Sequence, residues 1–196
     1  YPVTPSVQAK EFKPSVSVVI AVRNESNRIS GLLEDLLKQE YDSQQLEIIV
    51  SDDFSEDNTI KKVSAKLSSG NFRFQIIKAS VNDSQGKKHA LWRAITAAKG
   101  DIILTTDADC RLSPHWVASM SNKFKNASIN MVTAMVVLRP ENGMIARLER
   151  MDQLVLSAIG VASVAVGSPL LCSGANLAFR KQAFIDVGGY QYGIND

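Results

Sequence analysis

Short apolar, β-branched runs alternate along this chain with stretches whose apolar residues recur at helical spacing, and that alternation constrains the fold more than any other feature. Residues 15–22 (SVSVVIAV) read as a buried strand. Residues 28–39 then place Ile29, Leu32, Leu33, Leu36 and Leu37 at helical intervals. A second strand is expected at 46–50, and Ser55 is placed to cap a helix over 56–67 with acidic residues in its first turn. A third strand (72–77) precedes a helix over 87–98, with Gly100 as its C-cap. A fourth strand (102–106) precedes Ser113-Pro114, which reads as the start of a helix running to Lys125. A fifth strand over 131–138, a helix over 144–166, a short strand over 177–180 and a short helix leading to Gly188-Gly189 complete the pattern. Within the 144–166 stretch, residues 154–166 are apolar apart from two serines and rich in small residues, and read as a buried or interfacial helix. Strand-then-helix repetition predicts an α/β fold: βαβ units in a Rossmann-like, mainly parallel sheet with helices on both faces.

Composition narrows the functional classes. A chain of 196 residues suits one domain, here residues 15–196. Residues 1–14 carry three prolines and no periodicity, and read as a flexible lead-in. A net charge of +2 gives no footprint for nucleic acid. Two cysteines, Cys110 and Cys172, and two histidines, His89 and His115, supply neither a disulfide framework nor a histidine-rich metal site. Cys110 stands beside an acidic pair, but a small buried hydrophobe is the simpler reading of it. No apolar run reaches 18 residues, so no membrane span is expected, and no signal peptide is visible. The chain begins with Tyr1 and is expected to be a piece of a longer protein.

In a parallel α/β sheet, ligands bind beyond the C-terminal strand ends. The first strand ends in Ala21-Val22-Arg23-Asn24-Glu25, and the second in Ser51-Asp52-Asp53-Phe54-Ser55. The third is followed by Ser84-Gln85-Gly86-Lys87-Lys88, and the fourth ends in Asp107-Ala108-Asp109. Any one cluster could be a turn, since Asp and Asn favour turns for backbone reasons. All four fall on one edge of the expected sheet. Two carboxylates two residues apart after a buried strand are costly without compensation, and a divalent cation shared with a diphosphate would supply it. Oxygen ligands suit Mg²⁺ or Mn²⁺. Carboxylates at the second strand can accept from a base N–H or from ribose hydroxyls, and Lys87 at a helix start can offset phosphate charge. Together these features describe a nucleoside-diphosphate site. The glycine-rich fingerprint of a dinucleotide-binding unit is absent after strand one, as is a phosphate loop ending in Gly-Lys-Ser/Thr.

The segments SVVIAVRNE (17–25), IIVSDDFSEDNT (48–59), GKKHALWRAI (86–95), GDIILTTDADC (100–110) and SGANLAFRKQAFIDVGGY (173–190) occur in an order that resembles the family 2 glycosyltransferases. The resemblance implies the GT-A fold of nucleotide-diphospho-sugar transferases, truncated at the C-terminus. It implies transfer, with inversion, from a nucleoside-diphosphate sugar, most often a UDP-sugar, to an acceptor hydroxyl on a glycan, a lipid-linked molecule or another compound. Carried over residue by residue, Ala21, Arg23 and Glu25 would line the base and ribose pocket, Asp52 and Asp53 would contact uracil or ribose, and Lys87 and Ala108 would lie near the nucleotide. Asp107 would reach the ribose, the sugar or the metal, and Asp109 would bind the Mg²⁺ or Mn²⁺. Ser173, Gly174, Ala175 and Asn176 would border the sugar and acceptor pocket. Residues 154–166 resemble the part that lies near the bilayer in membrane-linked members. The family's catalytic base belongs to an acidic pair after Gly-Gly-Tyr/Phe, whereas this chain continues from Tyr190 as Gln-Tyr-Gly-Ile-Asn-Asp. The base is therefore expected just beyond Asp196, and these 196 residues alone are expected to bind nucleotide but turn it over poorly. A non-catalytic nucleotide-sugar or partner-binding domain of the same fold is the alternative.

Overall fold

The computed structural model describes residues 12–138, 143–168, 170 and 172–190. The described elements alternate as expected: β1 (Val16–Val22), α1 (Ile29–Leu37), β2 (Leu46–Asp52), α2 (Thr59–Leu67), β3 (Arg73–Lys78), α3 (Lys87–Ala97), β4 (Ile102–Thr105), α4 (Trp116–Asn122), β5 (Met131–Thr133), α5 (Met144–Ala165), β6 (Leu177–Arg180) and α6 (Lys181–Asp186). Their six strands lie in one sheet in the order β3-β2-β1-β4-β6-β5. β1 pairs in parallel with β2 and β4, and β2 with β3, while β6 runs antiparallel to both β4 and β5.

Strand alternation divides the core in two. Val16, Val18, Ile20 and Val22 of β1, with Ile48 and Val50 of β2 and Ile102 and Leu104 of β4, face a layer made by Ile29, Leu32, Leu33 and Leu36 of α1, Val63 and Leu67 of α2 and Val117 of α4. Val19, Ile49 and Ile103 point the other way, against Leu91, Ala94 and Ile95 of α3. Helices therefore cover both faces, which is why these strands are apolar throughout rather than alternating. Each fully buried Leu or Ile contributes about 1.5–3 kcal/mol.

Several expected boundaries move, each for a local reason. α2 starts at Thr59, not near Glu56, and Ser55 does not cap it. The Ser55 hydroxyl instead accepts the Asn24 N–H at 3.0 Å. The N-cap is Asn58, without a side-chain cap bond, and Asp57 just before it accepts the Thr59 N–H at 2.9 Å and the Ser26 N–H at 3.0 Å. Gly100 is not a C-cap: α3 gives way to extended backbone at Ala98. Gly100 is required by packing, since a Cβ there would lie 2.5 Å from the Ser17 backbone nitrogen. α4 begins at Trp116, after Pro114, and ends in a 3₁₀ turn over Lys123–Lys125. β5 stops at Thr133 instead of reaching Leu138, because its partner β6 begins at Leu177, directly opposite Thr133. Beyond it, the Ala134 N–H donates to the Asn176 carbonyl and the Val136 N–H to the Ser157 hydroxyl.

Of the two readings of 154–166, a buried or an interfacial helix, the buried one is corrected. Only Gly160 and Ser163 of α5 are buried. Its side facing the domain carries Gln153, Ser157, Gly160 and Val161, which line a cavity of about 220 Å³ with Thr133 and Ala134. The opposite side, at 100° per residue, carries Met144, Leu148, Met151, Val155, Ile159 and Val166, all exposed. No described helix is long and apolar enough to cross a membrane. The lead-in to residue 11 and the stretch 191–196, including Asp196, lie outside the described residues.

Candidate active site

The parallel register brings the C-terminal ends of β1, β2 and β4 together, with Val22 opposite Asp52 and Val19 opposite Thr105. A cavity of about 400 Å³ opens there, lined by Ala21, Val22, Arg23, Glu25, Asp53, Gly86, Lys87, Asp107, Ala108 and Asp109. All the residues that sequence reasoning assigned to the nucleotide and the metal, except Asp52, thus share one concave surface.

Two loops hold the β1 and β2 ends in place. Asn24 and Phe54 adopt left-handed backbone, with φ of 54° and 61°. Asn tolerates this region, whereas a bulky residue such as Phe marks local strain of the kind that collects at functional sites. Reciprocal bonds lock the two turns: Asn24 N–H to Ser55 Oγ, and Glu56 N–H to Asn24 Oδ1 at 2.9 Å. The Glu25 N–H donates to Thr59 Oγ1 at 2.8 Å. The Thr59 hydroxyl in turn donates to Asp57, and this bond, with the backbone N–H groups, holds the Asp57 carboxyl well below the usual carboxylate range.

Asp53 is only 4% exposed. Both of its oxygens accept the Gly86 N–H, at 3.1 and 3.0 Å. Arg23 Nη1 stands 3.8 Å from one oxygen and Arg93 Nη2 3.9 Å from the other. Gly86 has φ of +114°, which suits a residue without a side chain, and it delivers Lys87 as the first residue of α3. Lys87 Nζ reaches across the cavity to Asp107 Oδ1 at 2.5 Å. Asp107 is partly exposed and Asp109 exposed, and the Cys110 N–H donates to the Asp107 carbonyl at 3.1 Å to turn the chain after them. Burial pushes the Cys110 thiol up, so it holds its proton and serves as a small packing group.

Asp52 is placed differently from its neighbour. Its Oδ1 accepts the Ser55 N–H at 3.2 Å, and its carbonyl accepts from Ala79 and Arg93, so its polar atoms brace the loop behind the cavity. The 3₁₀ turn Gly174–Asn176 reaches the same edge because β6 runs antiparallel to β4, with Leu177 opposite Thr105. The Thr105 hydroxyl donates to the Gly174 carbonyl at 2.6 Å. Asn176 accepts from Trp116 Nε1 at 2.9 Å and donates to the Met135 carbonyl at 3.1 Å. Ser173 lines the smaller cavity beneath α5, while Gly174, Ala175 and Asn176 do not line the 400 Å³ cavity.

Sequence reasoning overlooked Arg93, whose guanidinium bridges the ends of β2 and the 80–86 loop, reaching the Asp52 carbonyl, Asp53 and, at 3.7 Å, Asp83. Its position within α3 shares no periodic signal with the loops it joins.

A divalent cation fits this donor set. Asp107 and Asp109 offer hard carboxylate oxygens on the cavity wall. No cluster of three or more His, Cys, Asp or Glu ligands exists among the described residues, so further ligands would come from a bound diphosphate, as is common for Mg²⁺.

Known proteins share this sequence pattern and fold. The family model described as glycosyl transferase family 2 matches residues 17–188. The chain is 25% identical over 186 residues to the poly-beta-1,6-N-acetyl-D-glucosamine synthase of Staphylococcus aureus, covering 94% of this chain and 43% of that protein. It therefore spans less than half the length of that curated relative. Among solved structures, the mannosyltransferase PcManGT from Pyrobaculum calidifontis, in complex with GDP-Man and Mn²⁺, superposes with a TM-score of 0.71 at 21% identity, over 91% of this chain and 48% of that one. S. aureus TarS 1-349, in complex with UDP-GlcNAc, superposes with a TM-score of 0.65 at 17% identity, over 89% and 47%. The chain belongs to glycosyl transferase family 2 and has the GT-A fold.

Proposed function

We propose that this domain binds a nucleoside-diphosphate sugar together with Mg²⁺ or Mn²⁺ and serves an inverting transfer of the sugar to an acceptor hydroxyl. The observation that carries the reading is the 400 Å³ cavity, on which Arg23, Glu25, Asp53, Lys87, Asp107 and Asp109 converge from three strand ends and one helix start. Asp53 and Glu25 are placed to accept from a base N–H and ribose hydroxyls. Lys87 and the start of α3 offer positive charge to a diphosphate. A cation held by Asp107, Asp109 and the diphosphate would offset the charge that develops on the leaving group. The names of the relatives make UDP-GlcNAc the first donor to test and a poly-N-acetylglucosamine chain the first acceptor. The carboxylate base that would deprotonate the acceptor is expected beyond Asp196. In the whole protein, membrane contact would come from parts outside this chain, at the cytoplasmic face.

Calorimetric titration with UDP, GDP and ADP, with and without Mn²⁺, tests the reading. UDP is expected to bind best, and Mn²⁺ to tighten it. Asp109→Ala should abolish at least tenfold of the Mn²⁺-dependent gain, about 1.4 kcal/mol. An unchanged gain in that variant would show the metal assignment to be wrong.

A further inference from the structure

A second carboxylate–cation pair stands behind the acidic loop, outside the cavity. Asp35 of α1 is only 7% exposed. It accepts Arg111 Nε at 2.5 Å and Nη2 at 2.7 Å in a two-point fork, and the Leu112 N–H donates to the same carboxylate at 2.9 Å. A carboxylate this buried is tolerated because three donors satisfy it. Gly31, one helical turn before Asp35, leaves room for the guanidinium arm, since a Cβ there would meet Arg111 Cδ at 3.0 Å. One turn later, Gln39 donates to the Ser113 carbonyl at 2.8 Å and accepts the Val117 N–H at 3.0 Å. The Glu40 N–H donates to the Pro114 carbonyl at 2.8 Å. α1 and the turn that follows it therefore grip the chain from Arg111 to Val117.

On the other side, β4 ends at Thr105. Asp107 and Asp109 thus lie on a short arc fixed at one end by the sheet and at the other by Asp35. The fork sets the direction of the backbone two residues after Asp109. Binding constellations need their oxygens placed to within about 0.5 Å, and one clamped end without the other would not achieve this.

We propose that Asp35 and Arg111 are positioning residues for the cation site, orienting Asp107 and Asp109 through the loop without touching the ligand. The inference rests on the reading that the cavity takes a nucleoside diphosphate with a divalent cation. Groups bonded directly to metal ligands change metal affinity by about 10–100-fold, and a pair acting one step further out is expected near the lower end of that range.

The test measures UDP affinity by calorimetry with and without Mn²⁺ in the unaltered chain, in Arg111→Lys and in Asp35→Asn, with thermal melts confirming that each is folded. Arg111→Lys keeps the charge and loses the fork, so it decides the matter if Asp35→Asn fails to fold. The ratio of the two affinities is expected to fall about tenfold in the variants, while metal-free affinity stays within twofold of the unaltered chain. A purely structural pair would lower the melting temperature and leave the ratio unchanged, and an unchanged ratio in folded Arg111→Lys overturns the inference. A ratio of one in the unaltered chain has a different meaning: it removes the cation reading itself, and the positioning role falls with it.

Discussion

Asp53 and Asp35 are both nearly inaccessible carboxylates, yet they serve different ends. Asp53 borders a cavity and takes both its bonds from one backbone N–H, with two arginines nearly 4 Å away. Asp35 is enclosed by a bidentate arginine and a backbone N–H, and the Arg111 guanidinium holds its carboxyl below the usual carboxylate range. A carboxylate with a lowered folded pKa stabilises the native state above its unfolded value of about 3.9 and loses that contribution as pH falls toward the folded value. Stability measured by urea unfolding should therefore drop as pH falls below about 4, and Asp35→Asn should show a shallower drop over that range. An equal slope in both proteins would mean that Asp35 carries no such linkage. The Asp35–Arg111 pair was not legible in the sequence, because its members are 76 positions apart and meet only when the chain folds.

At the scale of elements, the strands that the sequence marked by unbroken β-branched runs appear where expected, since a strand covered on both faces must be apolar on both. β5 was overestimated because its apolar continuation, 134–138, resembles a strand locally, and only the start of β6 limits the ladder. The start of α2 differs for a related reason: the Ser55 hydroxyl and the Asp57 carboxylate are taken up by the Asn24 and Ser26 N–H groups arriving from β1, and the helix begins after Asn58. α5 is the element whose sequence misleads most. Its apolar residues are real, but its outward stripe touches no core. Replacing Leu148 and Ile159 by Gln should change the unfolding free energy by no more than about 0.5 kcal/mol each. Ile49→Ala, in the sheet, should cost about 2–5 kcal/mol by the same urea titration. A loss from Leu148→Gln comparable to that of Ile49→Ala would mean that the stripe is packed in solution.

For the whole molecule, the proposed nucleotide cavity draws on β1, β2, β4 and the start of α3, so ligand binding should be felt across the fold. If UDP with Mn²⁺ binds only the native state, 100-fold excess over Kd should add about 2.7 kcal/mol to stability and raise the melting temperature. No rise with either UDP or GDP would argue against a nucleotide site. Three of the four parallel strands, with the start of α3, carry the cavity, whereas β5 and β6 form an antiparallel annex at one end of the sheet. Thr133 and Leu177 face each other in that annex, so the chain leaves and re-enters the sheet at neighbouring points. An excursion whose ends already meet can change length or content at little cost in closure entropy. The β5–β6 connection is thus a natural graft point, where one parallel frame could be fitted with different inserted segments without refolding the frame.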